Sequence, residues 1–205
     1  MLTSGMFQPA RPRRGFTLLE VLVTVAIMAV LTAVLLPALT GKLRDSRTTS
    51  LSQTFLGLSQ GIAEYKRATT KYPSSLLLLT TAPTSASLDI CGNAIGTTPA
   101  SLWRGPYASR IILSGGIMMG DANIHIGLRR VVVGSAIFLI IDAEDVEIAT
   151  ANDLEAQLDG GTADLTAGTI RATAASIAAT ATSALINASD AGALNVSYAI
   201  PINSC

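Results

Sequence analysis

The residues that could support catalysis are a serine inside a glycine pattern and a single histidine. The sequence GLSQG at 57–61 matches G-x-S-x-G, the pattern in which a hydrolase presents its nucleophilic serine, here Ser59. His125, the only histidine, would have to be the base. That motif requires a strand before the serine and a sharp turn at it, whereas this stretch lies among helically spaced apolar residues. We therefore interpret Gly57 and Gly61 as small residues of a close-packed helix, and we predict no catalytic residue.

Metal binding is the second chemistry to consider. His125 has no cysteine or second histidine near it in the sequence, so the pattern does not support a zinc site. Two acidic clusters could bind calcium: Asp142 with Glu144 and Asp145, and Asp159 with Asp164. Calcium takes about six to eight oxygen ligands, and neither cluster matches an EF-hand loop. We interpret both clusters as solvated turns and predict no metal and no other cofactor, with calcium as the alternative.

The third feature is one acid inside a long apolar segment. Residues 16–39 are 24 residues of which only Glu20 is charged. As a helix this segment is about 36 Å long, enough for the hydrocarbon core of a bilayer, which is about 30 Å thick. The segment is too long for the apolar region of a cleaved secretory signal peptide. An acid in a membrane helix is costly, so Glu20 should have a partner or a function.

The distribution of charge predicts how this segment is oriented. The chain has 205 residues, 14 basic and 14 acidic side chains and a mean hydropathy of +0.48. This composition excludes a disordered chain and gives no sign of nucleic-acid binding through bulk positive charge; otherwise nucleic-acid binding is left open. Three arginines and no acid lie at 11–14, which places the N-terminus in the cytoplasm by the positive-inside rule. Lys42, Arg44 and Arg47 on the far side weaken that signal.

The sequence RRGFTLLEV at 13–21 resembles the prepilin cleavage motif of type IV pilins and type II secretion pseudopilins. In that family a membrane-embedded prepilin peptidase cuts after the glycine, and the new N-terminal residue is N-methylated. The resemblance implies cleavage between Gly15 and Phe16 and methylation of Phe16. Glu20 then becomes the fifth mature residue and Pro37 the twenty-second, where the family has a glutamate and often a proline. Both are expected to serve assembly, Glu20 by pairing with the N-terminal ammonium of a neighbouring subunit.

The resemblance implies a structural protein rather than an enzyme. The subunit would be stored in the bacterial cytoplasmic membrane as a single-pass protein with its N-terminus in the cytoplasm. It would then be extracted into an extracytoplasmic or cell-surface filament. Its partners would be identical or related pilin subunits, prepilin peptidase, the lipid bilayer, and the pilus or secretion assembly machinery. The sequence does not separate a type IV pilus from a type II secretion pseudopilus. The alternative is a signal-anchored binding module or enzyme whose head works as a monomer.

The chain is predicted to divide into a leader at 1–15, a transmembrane and assembly helix at 16–40, an amphipathic continuation at 41–72 and a β-rich head at 73–205. In the continuation, apolar residues recur at spacings of four and three: Leu51, Phe55, Leu58, Ile62 and Tyr65. Pro73 disfavours helical geometry at the residue before it, so the helix should run from about 17 to 69. The predicted fold is α+β and pilin-like, with this long helix packed on an antiparallel sheet.

Within the head, alternating and β-branched patterns predict strands at Ser109–Leu113, Ile124–Val133, Ala136–Ile141 and Leu194–Ile202. Gly134-Ser135 is predicted to be a hairpin turn. Asp145–Leu158 is predicted to be a short helix that ends before two glycines, and Thr169–Thr182 fits either helix or strand. Thr80–Pro106 is rich in small and polar residues and is predicted to be a long connection.

Cys91 and Cys205 are the only cysteines in the chain. In a head that is exported to an oxidising compartment they favour one disulfide, which would tie the last residue to the loop after the helix. The chain-entropy model assigns about 4–5 kcal/mol to closing a loop of about 100 residues. Two free thiols are the alternative.

Overall fold

A computed structural model describes residues 16–110, 112–120, 122–160, 168–172 and 193–203. The chain forms two compact units, Met1–Lys42 and Leu43–Cys205. The boundary between the units falls inside the first helix, α1, which runs over Leu18–Thr69. These bounds confirm the long helix predicted at about 17 to 69.

The first unit contains the apolar part of α1. By length and composition this helix is able to cross a membrane, and none of its most apolar stretch is buried. Apolar side chains surround it on all sides, which is the pattern of a helix placed in lipid or in a bundle rather than on a soluble core. Among its described residues, the first unit therefore has no buried core against which these side chains could pack.

In the second unit, α1 has one buried stripe. Its five apolar residues are each at most 3% exposed: Leu51, Phe55, Leu58, Ile62 and Tyr65. The ring of Phe55 stacks on Tyr198 with the ring centroids 5.2 Å apart. The amphipathic spacing predicted from the sequence therefore marks the face of the helix that forms the core of the head.

The end of α1 is a hydrogen-bonded turn at Thr70. Thr70 adopts a φ of 60°, in the left-handed region, and its N–H donates to the carbonyl of Lys66 at 2.8 Å. The Lys66 ammonium donates in return to the Thr70 carbonyl, also at 2.8 Å. The helix thus ends just before Pro73, as the proline predicts.

After α1 come a 3-10 turn at Leu76–Leu79 and a short helix, α2, at Thr97–Ser101. An antiparallel sheet follows, with strands β1 Ile117–Met119, β2 Ala122–Ile124, β3 Arg129–Val133, β4 Ala136–Glu147, β5 Ile170–Ala172 and β6 Ala193–Ile202. The helix α3, Ile148–Leu158, lies between β4 and β5 in the chain. The strand order is β1-β2-β4-β6-β5, and β3 also pairs with β4. The predicted α+β layout of a long helix and an antiparallel sheet is confirmed.

β4 has two faces of different character. Ile141 and Ala143 are fully buried in the core that includes the α1 stripe. Because side chains alternate along a strand, Asp142 and Glu144 lie on the opposite face, where they are half-buried. We call this opposite side the second face of the sheet.

One predicted strand is two strands in the structure, and another is missing. The range predicted as a strand at Ile124–Val133 is interrupted between β2 and β3, because the Ile126 carbonyl accepts from Leu76 N–H at 2.7 Å and pairs with the loop after α1. The described part of Ser109–Leu113 forms no strand, and β1 begins later, at Ile117. Both errors arise because tertiary pairing overrides a local pattern.

The hairpin turn at Gly134-Ser135 is confirmed, since β3 ends before it and β4 begins after it. The strand predicted to end at Ile141 continues to Glu147, so the helix predicted from Asp145 begins only at Ile148. The pairing register of β4 shifts between Ala143 and Val146, which is a bulge that lets the strand continue. β6 confirms the final predicted strand. Within 169–182, residues 170–172 form β5, and 173–182 lie outside the described residues.

Candidate processing and assembly site

The start of α1 is set by the side chain of Thr17. Phe16 and Thr17 precede the helix, and the Thr17 hydroxyl accepts a hydrogen bond from Glu20 N–H at 3.2 Å. The Thr17 carbonyl accepts from Val21 N–H at 3.3 Å. A threonine at this position satisfies one of the free N–H groups of the first turn, so the helix begins after it and Phe16 stays outside. Gly15 and the rest of the predicted leader at 1–15 lie outside the described residues, so cleavage beside Phe16 stays a prediction.

Glu20 lies in the first turn of α1 with its side chain exposed. A carboxylate there is favoured by the positive end of the helix dipole. Within the residues that the structure describes, no basic side chain pairs with it. In lipid or in an apolar bundle such a carboxylate is costly until a cation reaches it. Its geometry therefore suits an ammonium supplied by another chain.

The surroundings of Glu20 are apolar. Phe16 is 83% exposed, and together with Leu18, Val21, Leu22 and Val25 it lines a shallow groove along the first turns of the helix. Complete burial of each such side chain stabilises a complex by about 1.5–3 kcal/mol. A neighbouring apolar helix in this groove would also exclude water from the carboxylate, which strengthens its attraction for a cation.

Pro37 lies inside α1, where it lacks the N–H that would donate to the carbonyl four residues earlier. The Thr40 hydroxyl donates to the Pro37 carbonyl at 3.0 Å. The helix nevertheless continues through this position. Its expected role in assembly stays a prediction.

The hydrolase pattern does not form a nucleophile site. Ser59 lies inside α1, and its hydroxyl donates to the Leu56 carbonyl at 2.9 Å. The imidazole of His125 instead contacts Glu144, with 3.0 Å between Nε2 and Oε2. Neither residue has the other as its hydrogen-bond partner, so the pattern is part of the helix, as predicted.

One carboxylate of each acidic cluster has a partner within the head that the sequence did not predict. Asp142 forms an ion pair with Arg129, and Asp159 accepts hydrogen bonds from the N–H groups of Thr169 and Ile170 at 2.8–2.9 Å. The interpretation as a solvated turn is therefore wrong for the first cluster, which lies in β4. Asp159 does lie in a turn, directly after α3, and is half-buried there. Asp164 lies outside the described residues.

A further ion pair, in which the carboxylate is buried, lies in the loop after α1. Asp89 is 4% exposed, and Lys71 Nζ donates to its Oδ2 at 3.2 Å. The N–H groups of Cys91 and Asn93 each donate to its Oδ1 at 2.9 Å. Burial by itself would raise the pKa of Asp89, but these hydrogen bonds outweigh it and lower the pKa below 3.8. The sequence offered one signal, an aspartate three residues before a glycine, which is typical of a turn in which the carboxylate accepts from a nearby backbone N–H.

Residues 10–36 match the family model described as the prokaryotic N-terminal methylation motif. The chain therefore carries a type IV pilin-like prepilin motif. The match includes Gly15, Phe16 and Glu20 and stops one residue before Pro37. No curated protein and no solved structure matches the chain.

Proposed function

We propose that the chain, a type IV pilin-like precursor by its motif, is a structural subunit of a type IV pilus or of a type II secretion pseudopilus-like filament. Prepilin peptidase would hydrolyse the bond between Gly15 and Phe16, and the Phe16 amine would then receive a methyl group. The observation that carries this proposal is the methylation motif at 10–36, which is joined to a helix whose apolar surface is unburied.

The apolar half of α1 would be surrounded first by lipid and then by the helices of other subunits. Before assembly, lipid would surround its side chains in the bacterial cytoplasmic membrane, with the arginines at 11–14 on the cytoplasmic side. After assembly, the same side chains would be covered by equivalent helices of identical or related subunits. Because both environments are apolar, extraction from the membrane does not expose the helix to water if transfer is direct.

Glu20 would set the register of each added subunit. Cleavage would create an ammonium at Phe16 about one helical turn from Glu20. In a bundle, that ammonium would pair with Glu20 of a neighbouring subunit, because an unpaired charge buried among apolar helices is strongly disfavoured. The exposed Glu20 carboxylate, without a basic partner among the described residues, supports this role.

We also propose the disulfide between Cys91 and Cys205. Cys91 is not a free thiol, and Cys205 is the only other cysteine in the chain. Cys205 lies outside the described residues, so the pairing rests on the cysteine count and on the oxidising compartment that export implies.

Substitution of Glu20 tests assembly separately from membrane insertion. We expect Glu20→Ala to remain in the membrane fraction and to be absent from sheared surface filaments, since the apolar helix is intact and the ion pair is lost. The matched control is Glu64→Ala, which removes a carboxylate from the same helix in the second unit. Negative-stain imaging and mass spectrometry of the filament subunits measure the outcome. Normal incorporation of Glu20→Ala would refute the pairing role, and wild-type cells without filaments of this chain would refute the function.

A further inference from the structure

A cavity of about 200 Å³ opens on the surface of the second unit, between α1 and the segment at 108–110. The helix contributes Gln53 and Gly57 to its lining, and the segment contributes Ser109 and Arg110. All four residues are exposed, so a small group of another molecule can reach them. We call this site the Gly57 cavity.

The Gly57 cavity lies where the loop after α2 separates from α1. One turn further along the helix the loop is in close contact, since a Cβ at Gly61 would lie 2.5 Å from the Tyr107 carbonyl oxygen. A Cβ at Gly57 would meet nothing within 4 Å. Glycine inside a helix costs about 1 kcal/mol relative to alanine. The packing of the described residues therefore gives no reason for the glycine at 57.

The polar side chains of the Gly57 cavity are available as hydrogen-bond donors. Arg110 has five N–H donors, the Gln53 amide has two and the Ser109 hydroxyl has one. Within the part of the chain that the structure describes, none of these three side chains has a hydrogen-bond or ion-pair partner. The Thr54 hydroxyl, by contrast, already donates to the Ser50 carbonyl at 2.8 Å.

The charge of the lining favours an anion. Arg110 is positively charged, and the described lining contains no acidic residue to offset it. A guanidinium presents its donors in a planar fork that matches the two oxygens of a carboxylate. The Gln53 amide and the Ser109 hydroxyl are able to donate to the same group. A cation would be repelled by Arg110, so a carboxylate is the group that suits this lining best.

We propose that the Gly57 cavity receives a carboxylate side chain from a neighbouring copy of this chain. The inference rests on the proposed function, because the neighbour is a subunit of the proposed filament. The absence of a side chain at Gly57 leaves room for the carboxylate beside the helix, and Arg110 binds it. Gly57 is thus explained by contact between subunits rather than by the fold of one chain.

The chain itself supplies carboxylates for this contact. The leader contains three of the 14 basic residues, so each mature copy has 11 basic and 14 acidic residues. Asp45 on α1 and Glu147 at the end of β4 are exposed, and neither has a basic partner among the described residues. A copy of this chain therefore complements the charge of Arg110.

Two substitutions test the Gly57 cavity in sheared surface filaments. Gly57→Leu fills the cavity and Arg110→Gln removes its charge, so we expect both chains to stay in the membrane fraction and to be lost from filaments. The matched controls are Gln60→Leu, on the same helix outside the cavity, and Arg130→Gln, at an exposed arginine of β3. Both controls should assemble as the wild type does. Near-UV circular dichroism of each chain in detergent verifies folding.

Arg110→Lys tests the contact directly. Lysine keeps the positive charge, so this variant should form filaments where Arg110→Gln does not. A carbodiimide joins an ammonium to a carboxylate in contact with it, with loss of water. Treated filaments of Arg110→Lys should give a covalent subunit dimer on denaturing gels. Mass spectrometry should find position 110 joined to an aspartate or a glutamate of the second unit.

The outcomes separate this inference from the proposed function. Normal filaments of Gly57→Leu or of Arg110→Gln would overturn the carboxylate contact and leave the filament function standing. The contact is also overturned if Arg110→Lys forms no filaments, or forms filaments without a cross-link from position 110 to another subunit. Wild-type cells without filaments of this chain would refute the proposed function, and this inference with it.

Discussion

The carboxylates of this protein differ in where their partners come from. Asp89 and Asp159 are satisfied by N–H groups of the head itself. Asp142 has Arg129 from the neighbouring strand. Glu20 is different, since the described residues give it no basic partner and its surroundings are apolar. This difference is the reason to place Glu20 in assembly and the other three in folding.

At the residue scale, Asp89 should stabilise the head in a pH-dependent way. We expect Asp89→Asn to destabilise the head by about 1.5–3 kcal/mol, because hydrogen bonds to a charged acceptor and the pairing with Lys71 are weakened. The control is Asp45→Asn, at an exposed position of α1. The unfolding midpoint of the full chain in detergent measures the effect at neutral pH.

The same variant has a predicted dependence on pH. The pKa of Asp89 is lowered in the folded state from its ordinary 3.8. Its stabilisation is therefore complete above about pH 3.8 and is lost as the pH falls through the folded-state pKa. The difference in midpoint between wild type and Asp89→Asn should shrink in acid. A difference that stays constant down to that range would contradict the role of the ionised carboxylate.

The chemistry of the site was accessible from the sequence at Glu20 and not at Arg129. Glu20 is the one charged residue in an otherwise apolar segment, so its unusual position is visible without a structure. Arg129 and Asp142 are 13 residues apart, and Ser197 is 55 residues beyond Asp142. Only strand pairing brings them together, and register depends on turns and bulges that local patterns do not specify.

At the scale of elements, α1 was predictable and the sheet was predictable only in part. The helix follows from apolar spacing and from Pro73, which are both local signals. β4 and α3 share a boundary that depends on the bulge between Ala143 and Val146, which has no signal in the hydrophobic pattern. The short strand β1 was missed because three residues give too little periodicity to recognise.

The two glycines of the GLSQG segment should respond oppositely to alanine. A Cβ at Gly61 would lie 2.5 Å from the Tyr107 carbonyl oxygen, so close packing does explain this glycine. A Cβ at Gly57 would meet nothing within 4 Å, so our packing interpretation is wrong there. The ring of Tyr107 also packs edge-to-face with the rings of Tyr65 and Trp103. Burial raises the pKa of Tyr65 to about 12.

We therefore expect Gly61→Ala to lower the unfolding midpoint, because backbone at Tyr107 has to move. Gly57→Ala should raise it, by up to about 1 kcal/mol in free energy, because alanine is the better helix former. Thermal unfolding of both variants in the same detergent measures the pair. Equal effects of the two substitutions would contradict the contact between α1 and the 105–107 loop.

At the scale of the whole molecule, the two units are built for different surroundings. The described part of the first unit, 16–42, presents apolar side chains that the unit does not bury, while the second unit contains its own hydrophobic core. The zero net charge of the chain is an average over these parts. The leader at 1–15 carries three arginines and no acid, so removal of the leader would leave a mature chain with three more acidic than basic residues.

The proposed disulfide belongs to this scale because it would join distant parts of the head. Under non-reducing conditions, proteolysis of the exported protein should release one peptide pair that contains Cys91 and Cys205. Reduction should separate the pair and lower the unfolding midpoint, since the denatured chain regains freedom. Recovery of both cysteines as alkylated free thiols from unreduced protein would contradict the bridge.

Processing of the chain as a prepilin would leave a defined N-terminus on the mature protein. Mass spectrometry of the protein purified from membranes of cells that contain prepilin peptidase should find a first residue of Phe16 with one methyl group on its amine. A matched Gly15→Leu variant should keep its leader. Wild-type protein that retains its arginines upstream of Gly15, in the presence of active peptidase, would contradict prepilin processing.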